Sequence, residues 1–211
     1  MKKSPPMVFV ADDDLSVRKG LERLIKSVGL KVETFASAEE FLQRRPYREG
    51  PSCLVLDVRM PGLSGIDLQN ELTRKDIFLP IIFITGHGDI PMSVKAMKNG
   101  AVDFLPKPFD DKTLLSAIDR AIDKDVERRK EHAEKAKIQR RVNTLTPREY
   151  EVLRWVITGM LNKQIASQLK VTEKTIKVHR GRLMQKMQVV SVAELVRLAQ
   201  KCGIPPAIHK I

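Results

Sequence analysis

The chain has 211 residues, a formal net charge of +12 and two cysteines, Cys53 and Cys202. Its length favours two ordinary domains, and two cysteines so far apart are too few for a disulfide framework or a zinc site. No apolar run is long enough for a signal sequence or a bilayer-spanning helix. We therefore expect a cytoplasmic protein that is neither exported nor embedded in a membrane.

Strand and helix patterns alternate through residues 1–123. Short apolar runs predict strands, and apolar residues at helical spacing, closed by glycines such as Gly29 and Gly100, predict the helices between them. The predicted strands span 8–11, 31–35, 53–56, 80–84 and 102–106, and the predicted helices span 17–28, 37–42, 66–73, 91–97 and 110–122. This alternation predicts an α/β fold, a parallel sheet covered by helices on both faces.

Most of the predicted strands end at side chains that can bind ions. Asp12 and Asp13 come after the first strand, Asp57 after the third, Thr85 after the fourth and Lys107 after the fifth. In an open parallel sheet, ligands bind outside the carboxyl ends of the strands, so we expect these groups to meet. Together they suit a divalent metal ion and a phosphoryl group.

The predicted reaction is transfer of a phosphoryl group to the Asp57 carboxylate. Lys107 would pair with one phosphoryl oxygen, and Thr85 would donate a hydrogen bond to another. A pull on Thr85 would then repack the surface behind it and switch the ring of Phe104 between exposed and buried positions. The expected ligands of Mg²⁺, which prefers oxygen donors, are Asp13 and Asp57 directly and Asp12 through water.

Other interpretations of these residues stay open. Taken singly, Asp14 would cap the helix that follows it, Thr85 could mark only a turn, and Lys107 could be an ordinary surface lysine. One enzyme alternative takes Asp12 as the nucleophile of a haloacid dehalogenase-type phosphatase. That alternative leaves Asp57 unexplained and offers no domain to cover a substrate.

Five segments carry a further signal: Asp12-Asp13, Asp57-Val58-Arg59-Met60-Pro61-Gly62, Ile84-Thr85-Gly86-His87-Gly88-Asp89, Phe104 and Lys107-Pro108. Together they resemble the receiver domain of bacterial response regulators over residues 7–123. The resemblance implies a flavodoxin-like (CheY-like) five-stranded fold, phosphorylation of Asp57 by a histidine kinase, a metal ligand from the Arg59 main-chain carbonyl and a cis peptide before Pro108. It implies no enzyme activity beyond self-phosphotransfer and self-dephosphorylation. Phe104 stands where receivers often have Tyr.

Residues 124–143 differ in composition from what precedes them. They lose almost all large apolar residues and contain no Gly or Pro, so we expect a charged helical linker, with flexible disorder or a weak coiled coil as alternatives. Residues 1–123 hold 18 Lys and Arg against 18 Asp and Glu, whereas residues 124–211 hold 20 against 8. The basic C-terminal part predicts a nucleic-acid partner, and an anionic membrane surface is the weaker option.

A small all-helical module is predicted over residues 144–211. Thr146 and Glu149 form a capping box with Pro147 at the first helical position, and Asn162 and Thr172 are expected to cap the next two helices. The predicted helices span 147–158, 163–169, 173–187 and 191–201.

The third of these helices has the two faces that a DNA-reading helix needs. Ile176, Leu183 and Met187 are spaced for a core, and the opposite face is polar and basic. Gly181 on that face allows close approach to DNA but offers no side chain. The predicted DNA contacts are Lys174, Lys177, Val178 and Arg182 from this helix and Asn162 and Lys163 from the preceding one.

Segments 145–149, 162–166 and 175–180 resemble the LuxR-type helix-turn-helix. With the receiver in front, nearly the whole chain is similar to the NarL/FixJ family, closest to its FixJ branch. The resemblance implies a homodimer on phosphorylation, binding of double-stranded promoter DNA, and RNA polymerase as a further partner, with activation the commoner outcome. A protein-interaction adaptor that binds an acidic partner is the alternative of another class.

Overall fold

The computed structural model describes residues 5–44, 47, 49–86 and 90–208. The chain divides into two compact units, Met1–Arg129 and Lys130–Ile211. The motif residues His87, Gly88 and Asp89 lie outside the described part. Among the described helices, none combines the length and the apolar character needed to cross a membrane.

The first unit contains the predicted alternation of strands and helices. Its strands are β1 (Met7–Ala11), β2 (Lys31–Phe35), β3 (Ser52–Asp57), β4 (Ile81–Thr85) and β5 (Asp103–Pro106). Its helices are α1 (Leu15–Ser27), α2 (Ala38–Gln43), α3 (Gly65–Arg74), α4 (Ile90–Lys98) and α5 (Asp111–Val142), the last of which extends past the boundary between the units.

The five strands form one parallel sheet in the order β2-β1-β3-β4-β5. Successive residues of a strand point to opposite faces, and along β1 Val8 and Val10 pack into one core while Phe9 packs into the other. Every residue of β3 and β4 is buried, which is why these strands read as continuous apolar runs. The flavodoxin-like, CheY-like receiver fold predicted from the sequence is confirmed.

The register of the sheet brings the polar strand ends together. Ala11 pairs with Leu56, Asp57 with Ile84, and Thr85 with Pro106. The residues at or just after these positions are therefore neighbours at one edge of the sheet.

Helix α5 contributes to both units. Asp125 is buried in the first unit, where its Oδ2 accepts hydrogen bonds from the Ser52 N–H (2.8 Å) and from Arg129 Nε (2.7 Å). Ile138 and Val142 are buried in the core of the second unit. The segment 124–143, predicted to be a charged helical linker, is helical to Val142, and it has buried residues in both units. Composition alone underestimated how much of it is buried.

The second unit continues with α6 (Pro147–Val156), α7 (Asn162–Gln168), α8 (Glu173–Met187) and α9 (Val192–Lys201). Thr146, Thr172 and Ser191 cap α6, α8 and α9, and the Thr146–Glu149 capping box is present as predicted. We predicted Asn162 as the cap of α7, and this prediction is wrong. Asn162 is the first residue of the helix, and Leu161 is the N-cap. The Leu161 N–H donates to Gln164 Oε1 (2.8 Å), which is the half of a capping box in which the third helical residue accepts from the cap.

Candidate functional site

A group of three carboxylates lies at the carboxyl end of the sheet. Asp12, Asp13 and Asp57 each offer an oxygen atom within 4.8 Å of the others. Asp12 and Asp57 are buried, whereas Asp13 is exposed and opens the group to solvent. Carboxylates this close repel one another unless a cation lies among them, and hard oxygen donors suit a divalent ion. The structure thus brings together the predicted side-chain ligands.

Lys107 supplies a cation to this group. Its Nζ donates hydrogen bonds to Asp12 Oδ2 (2.6 Å) and Asp57 Oδ2 (2.9 Å). Burial alone would lower the pKa of Lys107, but the two carboxylates outweigh it and raise the pKa above its usual value. Burial raises the pKa of Asp12, although Lys107 and the Asp14 N–H stabilise its charged form. The ammonium therefore stays charged and bridges the two buried carboxylates.

The backbone after Asp57 is tightly held. Arg59 N–H donates to Asp57 Oδ1 (3.2 Å), and Gly65 N–H donates to the Val58 carbonyl (3.0 Å). A Cβ atom on Gly65 would lie 2.2 Å from the Asp57 carbonyl oxygen, so only glycine fits at the start of α3. Gly65 was not among the residues predicted from the sequence. Its one local signal is a glycine directly after the N-cap Ser64.

The Arg59 main-chain carbonyl as a metal ligand stays a prediction, although the Arg59 N–H places this loop at the carboxylate. The Lys107-Pro108 peptide is cis, as the resemblance implied. Asp14 caps α1 by accepting hydrogen bonds from the Ser16 N–H (2.7 Å) and the Val17 N–H (3.3 Å), which confirms its structural role.

Thr85 and Phe104 lie on the neighbouring strands. Thr85 is fully buried at the end of β4, and its carbonyl accepts a hydrogen bond from the Lys107 N–H (2.7 Å). Phe104 on β5 is half-buried, with its ring centroid 6.2 Å from that of Phe83. The switching of both residues stays a prediction.

In the second unit, α8 presents the predicted basic face. Ile176, Leu183 and Met187 are fully buried, so the helix is oriented as its spacing predicted. The opposite face is exposed, and Val178 retains 46% of its accessible surface. The exposed residues of this face are Lys174, Lys177, Val178, Gly181 and Arg182. Their contacts with DNA stay predictions.

The start of α7 lies against α8. Asn162 Oδ1 accepts a hydrogen bond from Arg180 Nη1 (2.9 Å), and Lys163 beside it is exposed. The Asn162 oxygen is therefore bound to α8. No role was predicted for Arg180 from the sequence. Eighteen residues separate the pair, so no local pattern signals it.

An ion pair with a buried carboxylate joins the C-terminal half of α8 to α6. Lys186 Nζ donates to Glu149 Oε2 (2.6 Å) and to the Thr144 carbonyl (3.0 Å). Burial opposes ionisation of Glu149, but hydrogen bonds from Lys186 and the Thr146 N–H outweigh it and lower the pKa of Glu149 below its usual value. The capping box of α6 and the C-terminal half of α8 thus share one carboxylate.

Two family models match the chain. The model described as "Response regulator receiver domain" matches residues 8–119, and the model described as "Bacterial regulatory proteins, luxR family" matches residues 143–199. The first covers the carboxylate group and Lys107, and the second covers α6, α7 and α8 with their basic face.

Similar proteins cover almost the whole chain. Nodulation protein W of Bradyrhizobium diazoefficiens is 52% identical over 198 residues, 94% of this chain and 87% of that protein. Transcriptional regulatory protein FixJ of Azorhizobium caulinodans is 41% identical over 208 residues, 98% of this chain and 97% of that protein. The solved structure of Response Regulator StyR superposes with a TM-score of 0.80 at 51% identity and covers 94% of this chain and all of that one.

The order of the two matches, and the agreement with full-length relatives, determine the classification. A receiver with its acidic site precedes a helix-turn-helix unit with an exposed basic helix. The chain belongs to the NarL/FixJ family of two-component transcriptional regulators, in its FixJ branch.

Proposed function

We propose that this regulator accepts a phosphoryl group on Asp57 from a histidine kinase, then pairs with a second copy and binds promoter DNA through α8. The observation that carries the proposal is the contact of the Lys107 ammonium with both Asp12 and Asp57 at the carboxyl end of the sheet. A carboxylate held beside a cation and further carboxylates can accept a phosphoryl group when a metal ion is bound.

The acidic group fits Mg²⁺ because three carboxylates within 4.8 Å provide oxygen donors and negative charge. Asp13 and Asp57 would hold the ion directly, Asp12 through water, and the Arg59 carbonyl would be a further ligand. When bound, the ion offsets the charge that builds up as a phosphoryl group approaches the carboxylates.

The chemistry takes place on the chain itself. An Asp57 carboxylate oxygen attacks phosphorus and forms an O–P bond while the bond from phosphorus to the kinase histidine nitrogen breaks, which leaves Asp57 as an acyl phosphate. Lys107 pairs with one phosphoryl oxygen and the Thr85 hydroxyl donates to another. Water later hydrolyses the acyl phosphate. The chain is therefore no enzyme towards other molecules.

Phosphorylation would change the face formed by α4, β5 and α5. Movement of Thr85 towards the phosphate opens space for the Phe104 ring, which packs against Phe83 in the present state. On α4, Val94 and Met97 are each 44% exposed and offer apolar surface for pairing. Pairing brings two copies of α8 onto half-sites roughly 34–36 Å apart and raises affinity without a new base contact.

The family match favours Asp57 over Asp12 as the nucleophile, which leaves the phosphatase alternative without support. The relatives include proteins described as transcriptional regulatory proteins, which favours DNA over an acidic protein partner. Activation through contact with RNA polymerase is part of the proposal.

The test is the solution mass by light scattering, with Mg²⁺ alone and with Mg²⁺ plus beryllium fluoride as the phosphoryl mimic. We expect the wild type to double its mass only with the mimic, and Asp57→Asn to stay unchanged. Asp14→Asn is the matched control, because it removes a neighbouring carboxylate charge while asparagine still caps α1. An unchanged mass of the wild type would contradict phosphorylation-driven pairing.

A further inference from the structure

The last turns of α5 are part of the second unit. The division between units falls after Arg129, and Ile138 and Val142 are 5% and 7% exposed in the same core as Leu183 and Met187 of α8. The luxR family match begins only at residue 143. This helical segment therefore packs against the helix-turn-helix although it lies outside the matched region.

Arg141 contacts the C-terminal end of α8 directly. Its Nη1 donates a hydrogen bond to the carbonyl of Met187 (3.0 Å), the last residue of the helix. The last carbonyls of a helix have no partner within it, and the negative end of the helix dipole attracts a cation. The half-buried guanidinium meets both needs at once.

Two other carbonyls of this helix end accept hydrogen bonds from the backbone that follows. Gln188 adopts a left-handed conformation (φ 53°), and its N–H donates to the carbonyls of Gln185 and Met184. The Val189 N–H donates to the Met184 carbonyl (3.1 Å). Arg141 thus binds a carbonyl of the helix end that this local turn does not use.

Further contacts join this part of α5 to α9. Lys201 Nζ lies 2.8 Å from Glu134 Oε2, and Cys202 Sγ lies 3.8 Å from the Lys135 carbonyl. The ion pair is about half exposed and contributes little. The burial of Ile138 and Val142 and the Arg141 hydrogen bond are therefore what α5 adds to the contacts that α6 and α7 make with α8.

We propose that Arg141 is a positioning residue for DNA binding: from α5 it holds the C-terminal end of α8 and so orients the face that carries Lys177 and Arg182. The proposal rests on the proposed DNA binding of α8. It makes residues 130–142 a functional part of the DNA-binding unit, not merely a connection to it.

The experiment compares Arg141→Ala with Arg140→Ala in the full chain. Each variant removes one positive charge from the same turn, but Arg140 is exposed and its Nε donates to the Ala136 carbonyl of its own helix (3.3 Å). Arg141→Lys keeps the charge and a donor. Trp155, the single tryptophan, lies in the core of this unit, so its fluorescence verifies that each variant is folded.

Binding is measured with a duplex enriched from a random-sequence pool by the wild type with Mg²⁺ and beryllium fluoride. We expect Arg141→Ala to weaken binding about tenfold, the effect of losing one charge-assisted hydrogen bond. The slope of log affinity against log salt should stay unchanged, because no phosphate contact is lost. Amide hydrogen exchange should become faster in the last turn of α8. Arg140→Ala should leave all three readouts unchanged, and Arg141→Lys should recover most of the loss.

Equal DNA affinity and equal hydrogen exchange in Arg140→Ala and Arg141→Ala would overturn the proposal. A salt slope that is smaller by about 0.9 in Arg141→Ala would also overturn it, because that change indicates a direct contact of Arg141 with a phosphate. If the wild type enriches no duplex, the proposed DNA binding itself fails. Hydrogen exchange would then still show whether Arg141 holds α8.

Discussion

Gly65 lies so close to Asp57 that a Cβ atom at residue 65 would sit 2.2 Å from the Asp57 carbonyl oxygen and 3.1 Å from Leu56 Cγ. Real side chains do not tolerate such a contact with backbone. The first turn of α3 therefore packs directly on the backbone of the proposed phosphorylation site. Any side chain at residue 65 must push the helix and the Asp57 backbone apart.

We expect Gly65→Ala to destabilise the first unit by about 1–3 kcal/mol, as overpacking does, and to slow phosphorylation of Asp57 by a small phosphodonor. Urea unfolding followed by circular dichroism measures the first effect, and mass spectrometry measures the second. The control is Gly20→Ala, since Gly20 is exposed in α1 with nothing within 4 Å of a Cβ atom. That change should stabilise the helix by about 0.5–1 kcal/mol. Equal effects of the two variants would contradict the crowding argument.

Lys107 and Mg²⁺ are expected to compete for the same carboxylates. Lys107→Met removes a positive charge that contacts Asp12 and Asp57. Two unit charges of like sign about 4 Å apart repel each other by at least about 1 kcal/mol. We therefore expect Mg²⁺ to bind the variant at least about fivefold more tightly. Pairing induced by beryllium fluoride should be lost. Calorimetry and light scattering give the two readouts. The exposed Lys112→Met serves as the control, and weaker Mg²⁺ binding by Lys107→Met would show that the ammonium does not compete with the ion.

Lys177 is exposed on the basic face of α8. We expect Lys177→Ala to weaken specific DNA binding. If the Lys177 ammonium contacts a phosphate, the slope of log affinity against log salt should also become smaller by about 0.9. Phosphorylation of Asp57 should not change. The comparison is Lys135→Ala, which removes an equal charge from the exposed surface of α5 in the same unit. Unchanged DNA affinity in Lys177→Ala would mean that another face of α8 meets the DNA.

The Glu149–Lys186 pair should make the second unit sensitive to acid. The pKa of Glu149 is lowered in the folded state, so its stabilisation is fully present above pH 4.5, the usual value, and is lost as the pH falls through the lower folded-state pKa. Glu149→Gln should abolish this part of the pH dependence and cost about 1–3 kcal/mol at pH 7.

Urea unfolding at a series of pH values, followed by Trp155 fluorescence, measures the effect. The exposed Glu131→Gln is the control and should reproduce the wild-type curve. A Glu149→Gln curve parallel to that of the wild type at every pH would rule out this pair as the source of the acid sensitivity.

Most of the architecture was predictable because its signals are local. The apolar runs of β3 and β4 and the Thr146–Glu149 capping box lie within a few residues each, and each forms as predicted. The site at Asp57 was also predictable, because parallel strands present their carboxyl ends at one edge. Asn162 was predicted to be a cap because asparagine at the start of a helix is typical of N-caps, although here it is the first residue of α7.

The sequence by itself determined the elements, their order and the polar groups at the strand ends, since these depend on residues that are neighbours along the chain. Only the tertiary structure decided which distant groups meet. Ser52 and Asp125 are 73 residues apart, Arg141 and Met187 are 46 apart, and Asn162 and Arg180 are 18 apart. No periodicity or cap encodes such a pair, because its geometry follows from how whole helices and strands pack.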